Sequence, residues 1–212
     1  NDVSAVQHYR GVVGENVIVC PTNSVNSLRA RIPYGHGSMW DIAFVGYAYP
    51  SRVEFMREFM SVSNGLHVVI VGDAWKEAGF DAIPTSSEEE TMEILGLCGA
   101  AACLHRRRTD NYQGPEDPKT CARGWMEMWS GVRTFIDGER SDALPPWNLA
   151  PGFKGPGDLA EKVLCYLLDP DDEEGYRMQA TAVARASYTY LARASAVLDV
   201  ISGRRSKENR IP

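Results

Sequence analysis

Short apolar runs that alternate with amphipathic stretches constrain the fold of this chain more than any other feature. Ile42 to Val45 is an apolar run closed by Gly46, and His67-Val-Val-Ile-Val71 is closed by Gly72-Asp73. Ala100 to His105 is a run of mostly small residues, and Arg133-Thr-Phe-Ile136 ends at Asp137-Gly138. Runs this short and this apolar predict strands covered on both faces. Between them lie helical patterns. Ser51, with Glu54 three residues on, is a capping-box signature just after Pro50. It predicts a helix over 51–62, with Val53, Met56, Phe59 and Met60 on one face. A short strand is expected near Ala82-Ile83. Ser86-Ser87-Glu-Glu-Glu90 then supplies a cap and an acidic first turn for a helix from Ser87 to Leu97. A further helix over 119–130 stops at Gly131. Strands that alternate with helices predict an α/β fold, a Rossmann-like parallel sheet flanked by helices with right-handed crossovers.

The rest of the chain is patterned differently. The stretch 138–157 is rich in Pro and Gly and reads as a long surface loop. Asp158, with Glu161, is expected to cap a helix running to Leu168, which Asp169-Pro-Asp-Asp172 breaks. Two more C-terminal helices are expected over 171–186 and 189–202, followed by a polar tail over 203–212. Residues 1–40 are poorly patterned. They read as a linker or interdomain segment with a possible strand at Val17–Cys20, which leaves 41–202 as the folded domain.

At 212 residues the chain is long enough for one ordinary core. Its net charge of -6 argues against nucleic acid as a general partner. No apolar run approaches the roughly 20 residues of a membrane helix, and no N-terminal signal peptide is visible. Cys20, Cys98, Cys103, Cys121 and Cys165 match no zinc spacing. Reduced cysteines in a cytoplasmic protein are the expectation. The chain begins at Asn1, before which an initiator methionine is normally kept, so it is expected to be a domain of a longer protein.

Parallel sheets bind ligands at the carboxyl ends of their strands. The polar residues at those ends are therefore the candidates: Tyr47, Ser51 and Arg52; Asp73 and Trp75; His105 to Arg108; Asp137 to Arg140. A strand, a glycine turn and a helix N-terminus in sequence make an anion or nucleotide site at Gly46 to Arg52. Each feature also has a plain structural reading. Gly46 and Gly72 could be ordinary strand-end glycines, Arg52 could only cover a helix face, and His105 could be a core histidine. Trp125, Met126, Met128 and Trp129 read as core or interface. Glu127 and Arg123 could form a helical ion pair at i, i−4, and Trp147 could anchor its loop.

Five blocks in order resemble the C-terminal half of GT-B glycosyltransferases, with most similarity to the spore-protein-like, group 1-related transferases. They are DIAFVGYAYPSR, LHVVIVGDAW, ARGWMEMWSG-VRTFIDGER, GDLAEKVLCYLLDPDDEEGYR and YTYLARASAVLDVI. The resemblance covers about 41–202. It implies a domain that binds a nucleotide-sugar donor, with the acceptor held by a separate domain upstream or on another chain. By resemblance, Gly46 and Arg52 lie against the diphosphate, and Asp73 and Trp75 lie near the base. His105 and Arg106 approach the phosphates or sugar, and Arg123 to Glu127 face the donor ribose and phosphate. His105 and Glu127 are the candidate catalytic residues. No cofactor beyond the donor is implied. No metal is implied either, since no Asp-x-Asp motif occurs outside the Asp169-Pro-Asp-Asp turn.

The chain departs from the family pattern in two places. The family's helix glutamate falls on Met126, with Glu127 one position late, and one residue turns a helical side chain by about 100°. Residues 1–40 are also too few for an acceptor domain. Both departures fit an alternative, a catalytically inactive transferase-like domain used for binding or assembly through its Trp- and Met-rich helix. A nucleotide-sugar epimerase or dehydrogenase fits less well, because Gly46-Tyr-Ala-Tyr-Pro lacks a G-x-G-x-x-G turn.

Overall fold

The computed structural model describes residues 39–63, 65–84, 87–105, 107, 110, 122–138, 150–168, 175, 179, 182–183 and 190–202, with backbone only for 122–125, 190, 193, 196 and 200. The expected strand at Val17–Cys20, the expected helix over most of 171–186, and Trp147 lie outside the described residues.

The described chain forms a five-stranded parallel sheet flanked by helices. The strands are β1 Trp40–Val45, β2 Val68–Val71, β3 Cys98–Cys103, β4 Arg133–Asp137 and β5 Gly152–Phe153. The helices are α1 Pro50–Val62, α2 Glu88–Leu95, α3 Ala122–Ser130, α4 Pro156–Leu168 and α5 Tyr190–Ile201. The strand order is β2-β1-β3-β4-β5. The chain leaves β1 toward one edge and leaves β3 toward the other. The sheet therefore has a switch point between β1 and β3, the place at which sheets of this kind take ligands, outside the carboxyl ends of the strands.

Alternation along each strand divides the core into two layers. Ile42, Phe44, Ile70 and Phe135 pack with Met56 and Phe59 of α1 and with Leu159 and Val163 of α4. On the other face, Ala43, Val45, Val69, Val71 and Ala101 pack with Met92 and Leu95 of α2 and with Met126, Met128 and Trp129 of α3. The small residues Ala100, Ala101 and Ala102 of β3 are all buried in the centre of the sheet. A strand covered on both faces has no polar side to display, which is why its sequence reads as an unbroken apolar run.

The local signals need several corrections. The N-cap of α1 is Tyr49, not Ser51, with Pro50 at the first helical position and no side-chain cap from Tyr49. Proline fits there because its missing N–H would have had no helical partner. Of the expected apolar stripe, Met56 and Phe59 are buried but Met60 is half exposed. The α4 helix begins at Pro156, so Asp158 lies in its first turn rather than at its cap. There it accepts hydrogen bonds from Lys154 N–H and Lys162 Nζ. Strand β3 starts two residues earlier than expected and ends at Cys103. The expected strand at Ala82-Ile83 is a single bridge from Ile83 to Val71. The loop over 138–157 contains the short edge strand β5, paired to β4. The cap of α2 is as the sequence predicts, with Ser87 Oγ accepting from Glu90 N–H at 3.1 Å.

Candidate functional site

The turn after β1 is set by two glycines back to back. Gly46 has φ 148° and Gly72, at the end of the neighbouring β2, has φ 145°. Side-chain-bearing residues rarely adopt such angles. The Gly46 N–H donates to the Val71 carbonyl at 2.8 Å. The Gly46 carbonyl accepts the indole N–H of Trp75 at 2.7 Å. Trp75 is 2% exposed and packs edge-on against Phe80. The indole of Trp75 thus braces the turn from within the core, and its one polar atom is already used. Asp73 is exposed beside it, its backbone carbonyl accepting from Ala48 N–H at 3.2 Å.

Arg52 spans the switch point. Its Nη1 donates to the Tyr47 carbonyl at 3.2 Å on the β1 side, and its Nη2 donates to the Leu104 carbonyl at 2.7 Å just past β3. The guanidinium also lies over the Tyr49 ring, 5.2 Å from its centroid. Tyr49 and Tyr47 rings are 5.1 Å apart, and Tyr47 is half exposed. Arginine suits this position because a planar fork can hold two acceptors at once. Its Nε is buried with no hydrogen-bond partner among the described residues.

The first turn of α1 is closed by a residue the sequence reading did not single out. Asp110 accepts the Ser51 N–H at 2.9 Å through Oδ1, and the Ser51 hydroxyl at 2.5 Å through Oδ2. Its Oδ2 also accepts the Arg107 N–H at 2.8 Å. A carboxylate at a helix N-terminus satisfies donors that have no helical partner and meets the positive end of the helix dipole. Burial pushes the Asp110 carboxyl upward. The Ser51 hydroxyl and N–H, the Arg107 N–H and the Arg52 charge outweigh it, and they hold Asp110 below the usual carboxylate range. Arg107 then reaches across to β4, where Nη2 meets both carboxylate oxygens of Asp137 at 2.9 and 2.7 Å.

The carboxyl ends of β1, β3 and β4 are thus linked through Ser51, Asp110, Arg107 and Asp137, with Arg52 alongside. Of the residues expected at the site, the structure brings Gly46, Tyr47, Ser51 and Arg52 together here. His105 follows Leu104 directly and is 6% exposed, with Nε2 lacking a hydrogen-bond partner among the described residues. Glu127 is wholly buried on α3, whose neighbours Met126 and Met128 belong to the layer on the opposite face of the sheet from α1. Arg106 and the side chain of Arg123 lie outside the described residues. Asp110 could have been suspected only as the first acidic residue after Arg106-Arg107-Arg108, a weak signal.

No protein-family model matches the chain, and no curated protein matches it. Solved structures do. Sucrose-phosphate synthase from Thermosynechococcus elongatus superposes with a TM-score of 0.59 at 10% identity, over 95% of this chain and 56% of that one. AviGT4, a glycosyltransferase involved in avilamycin A biosynthesis, gives 0.57 at 16% identity over 95% of this chain and 63% of that one. A mutant of S. aureus TarM, in complex with fondaparinux, α-GlcNAc-glycerol and UDP, gives 0.61 at 10% identity over 94% of this chain and 42% of that one. The chain therefore spans less than two thirds of the length of each of these three neighbours. The parallel sheet and its helices have the fold of a GT-B glycosyltransferase domain.

Proposed function

We propose that this chain is the donor-binding half of a GT-B glycosyltransferase. In this reading it grips a nucleotide-sugar through its diphosphate and supports glycosyl transfer to an acceptor held by another domain or chain. The observation that carries the proposal is Arg52, held between the Tyr47 and Leu104 carbonyls across the switch point. That position sets a fixed positive charge beside the Gly46 turn and the N-terminus of α1. Structural neighbours in complex with UDP or UDP-glucose support the choice of ligand class.

The chemistry follows from where charge develops. As the bond from the sugar to the diphosphate oxygen breaks, the departing nucleoside diphosphate gains negative charge. The acceptor nucleophile forms the new bond at the same sugar carbon and loses its proton. Arg52 and the dipole of α1 would hold the leaving charge, which a guanidinium fork and aligned N–H groups do well. The reading needs no metal, consistent with the lack of an Asp-x-Asp motif outside the Asp169-Pro-Asp-Asp turn. It places the protein in the cytoplasm, where its thiols stay reduced. Among the described residues no helix is long and apolar enough to cross a membrane. Isothermal titration against UDP-, GDP-, ADP- and TDP-sugars tests the proposal. Binding of one donor class is expected, and no heat with any of them would sink it.

A second reading is a transferase-like domain kept for binding or assembly. It is favoured by the internal partners that Arg52, Arg107 and the Ser51 N–H already have. Self-association on size exclusion, without donor binding, would support it.

A further inference from the structure

We propose that the Tyr47 ring is a stacking platform for the nucleobase of the donor, held ready beside the Arg52 charge by the Tyr49 ring. The inference rests on the donor-binding reading and adds to it the group that takes the base.

Tyr47 is half exposed, and it is the only exposed phenylalanine, tyrosine or tryptophan among the described residues. It stands in the turn between β1 and α1, at the carboxyl end of the sheet beside the switch point. The turn is well fixed. The Tyr47 carbonyl accepts both the Tyr49 N–H at 2.9 Å and Arg52 Nη1 at 3.2 Å. The Tyr49 ring meets the Tyr47 ring with centroids 5.1 Å apart, and the Arg52 guanidinium lies 5.2 Å from the same Tyr49 centroid. One aromatic side chain thus supports both an open ring and a positive charge. A ring ordered before binding loses little conformational entropy when a ligand lands on it.

The polar groups of the turn decide which ring of a nucleotide-sugar fits there. The Gly46 N–H goes to the Val71 carbonyl, the Gly46 carbonyl takes the Trp75 indole, and the Ala48 N–H goes to the Asp73 carbonyl. With the Tyr47 carbonyl also taken, the backbone around the ring has few hydrogen bonds left to give. A hexose carries hydroxyls around its edges and needs partners for them once it is desolvated. A base can be held by its π-face alone, and such stacking tolerates any base. The Tyr47 ring offers that face, with Arg52 beside it for the phosphates.

Calorimetry on the full chain tests this, with UDP, GDP, ADP, TDP, UDP-glucose and inorganic pyrophosphate as probes. Tyr47→Ala should weaken the nucleoside diphosphate that the unaltered protein binds best by roughly five- to a hundredfold, the range of one stacked base. It should leave pyrophosphate unchanged. Tyr47→Phe and Tyr47→Trp keep a ring and should stay within about threefold of the unaltered protein. Thermal unfolding checks that each variant is folded. A second measurement needs no variant: in the unaltered protein, NMR should show the Tyr47 ring protons moving upfield with the nucleoside diphosphate and not with pyrophosphate. Unchanged binding by Tyr47→Ala, or equal losses for the nucleoside diphosphate and pyrophosphate, would overturn the proposal and leave the donor reading standing. Tyr47→Phe as weak as Tyr47→Ala would overturn it too, since the hydroxyl and not the face would then matter. A loss confined to UDP-glucose, with UDP unaffected, would assign the ring to the sugar and overturn it likewise. If the unaltered protein binds none of the nucleotide probes, both ideas fail.

Discussion

A Cβ atom placed on Gly72 would lie 2.0 Å from the carbonyl oxygen of Gly46. The ends of β1 and β2 can approach this closely only because Gly72 carries no side chain, and both glycines have φ in the left-handed half of the map. The same close approach keeps the turn before α1 tight.

The two glycines differ in what would have to yield. A Cβ on Gly46 would meet Arg52 Nη1 at 2.6 Å, the tip of a side chain that can move. On Gly72 it would meet backbone. Gly72→Ala is therefore expected to cost more stability than Gly46→Ala, which carries mainly a backbone strain of about 1–3 kcal/mol. Urea denaturation of the two variants checks the order. Equal losses would contradict it.

Trp75 should be far less replaceable than an exposed tryptophan. Trp75→Phe keeps most of the apolar bulk but leaves the Gly46 carbonyl without its indole donor, a loss of about 1–3 kcal/mol. Trp75→Ala adds a cavity and should cost about 3–5 kcal/mol. Thermal unfolding of both reads the difference.

Arg52 bridges two carbonyls and, in the proposed function, faces the diphosphate. Arg52→Lys keeps the charge but cannot hold both the Tyr47 and Leu104 carbonyls with one ammonium in the same fixed plane. Donor affinity should fall by about tenfold for lysine and further for Arg52→Ala, while unfolding midpoints change little between the two. Calorimetry with the donor identified by the panel would measure it.

Stability should depend on Asp110 in acid. Its carboxyl lies below the usual range in the folded protein, while in the unfolded chain it takes the ordinary value of about 4. A lowered folded value means the contribution is complete above the unfolded value and is lost as pH falls through the folded one. The stability gap between the unaltered protein and Asp110→Asn should be constant from about pH 7 to 5 and close below about pH 4. Urea midpoints at a series of pH values test this, and a gap that widened in acid would refute it.

The described thiols should react at different rates. Burial pushes the Cys98 thiol up to about 12, and Cys103 is buried, but Cys165 is exposed on α4. With Cys20 and Cys121 replaced by serine, iodoacetamide at neutral pH should label Cys165 well before Cys98, since the thiolate is the reactive form. Peptide mass spectrometry over time would show the order.

Much of the framework was legible from local pattern. The apolar runs at Ile42–Val45 and Val68–Val71, the Ser87 cap and the stop at Gly131 all concern residues within a few positions of one another. Boundaries were less legible, because strand ends depend on which neighbour supplies the hydrogen bonds. Cys98 belongs to β3 because it pairs with Trp40, a choice made by a partner far away in sequence. Ser51 looked like a cap because serine and glutamate were correctly spaced, yet Pro50 fixed the helix start one residue earlier. At the site, Gly46, Ser51 and Arg52 could be named in advance, since strand, turn and helix are local.

The sequence by itself determined an α/β chain with a parallel sheet and a glycine turn leading into a helix, because periodicity and turn chemistry act over short spans. The tertiary structure decided what that turn does with its donors. Ser51 and Asp110 are 59 positions apart, and Arg107 meets Asp137 across 30. Such pairings depend on strand order, which no local pattern encodes. The strand order β2-β1-β3-β4-β5 sets β1 beside β3 and β3 beside β4. Through that order a carboxylate closes the helix end, and the indole of Trp75 braces the glycine turn from within the core.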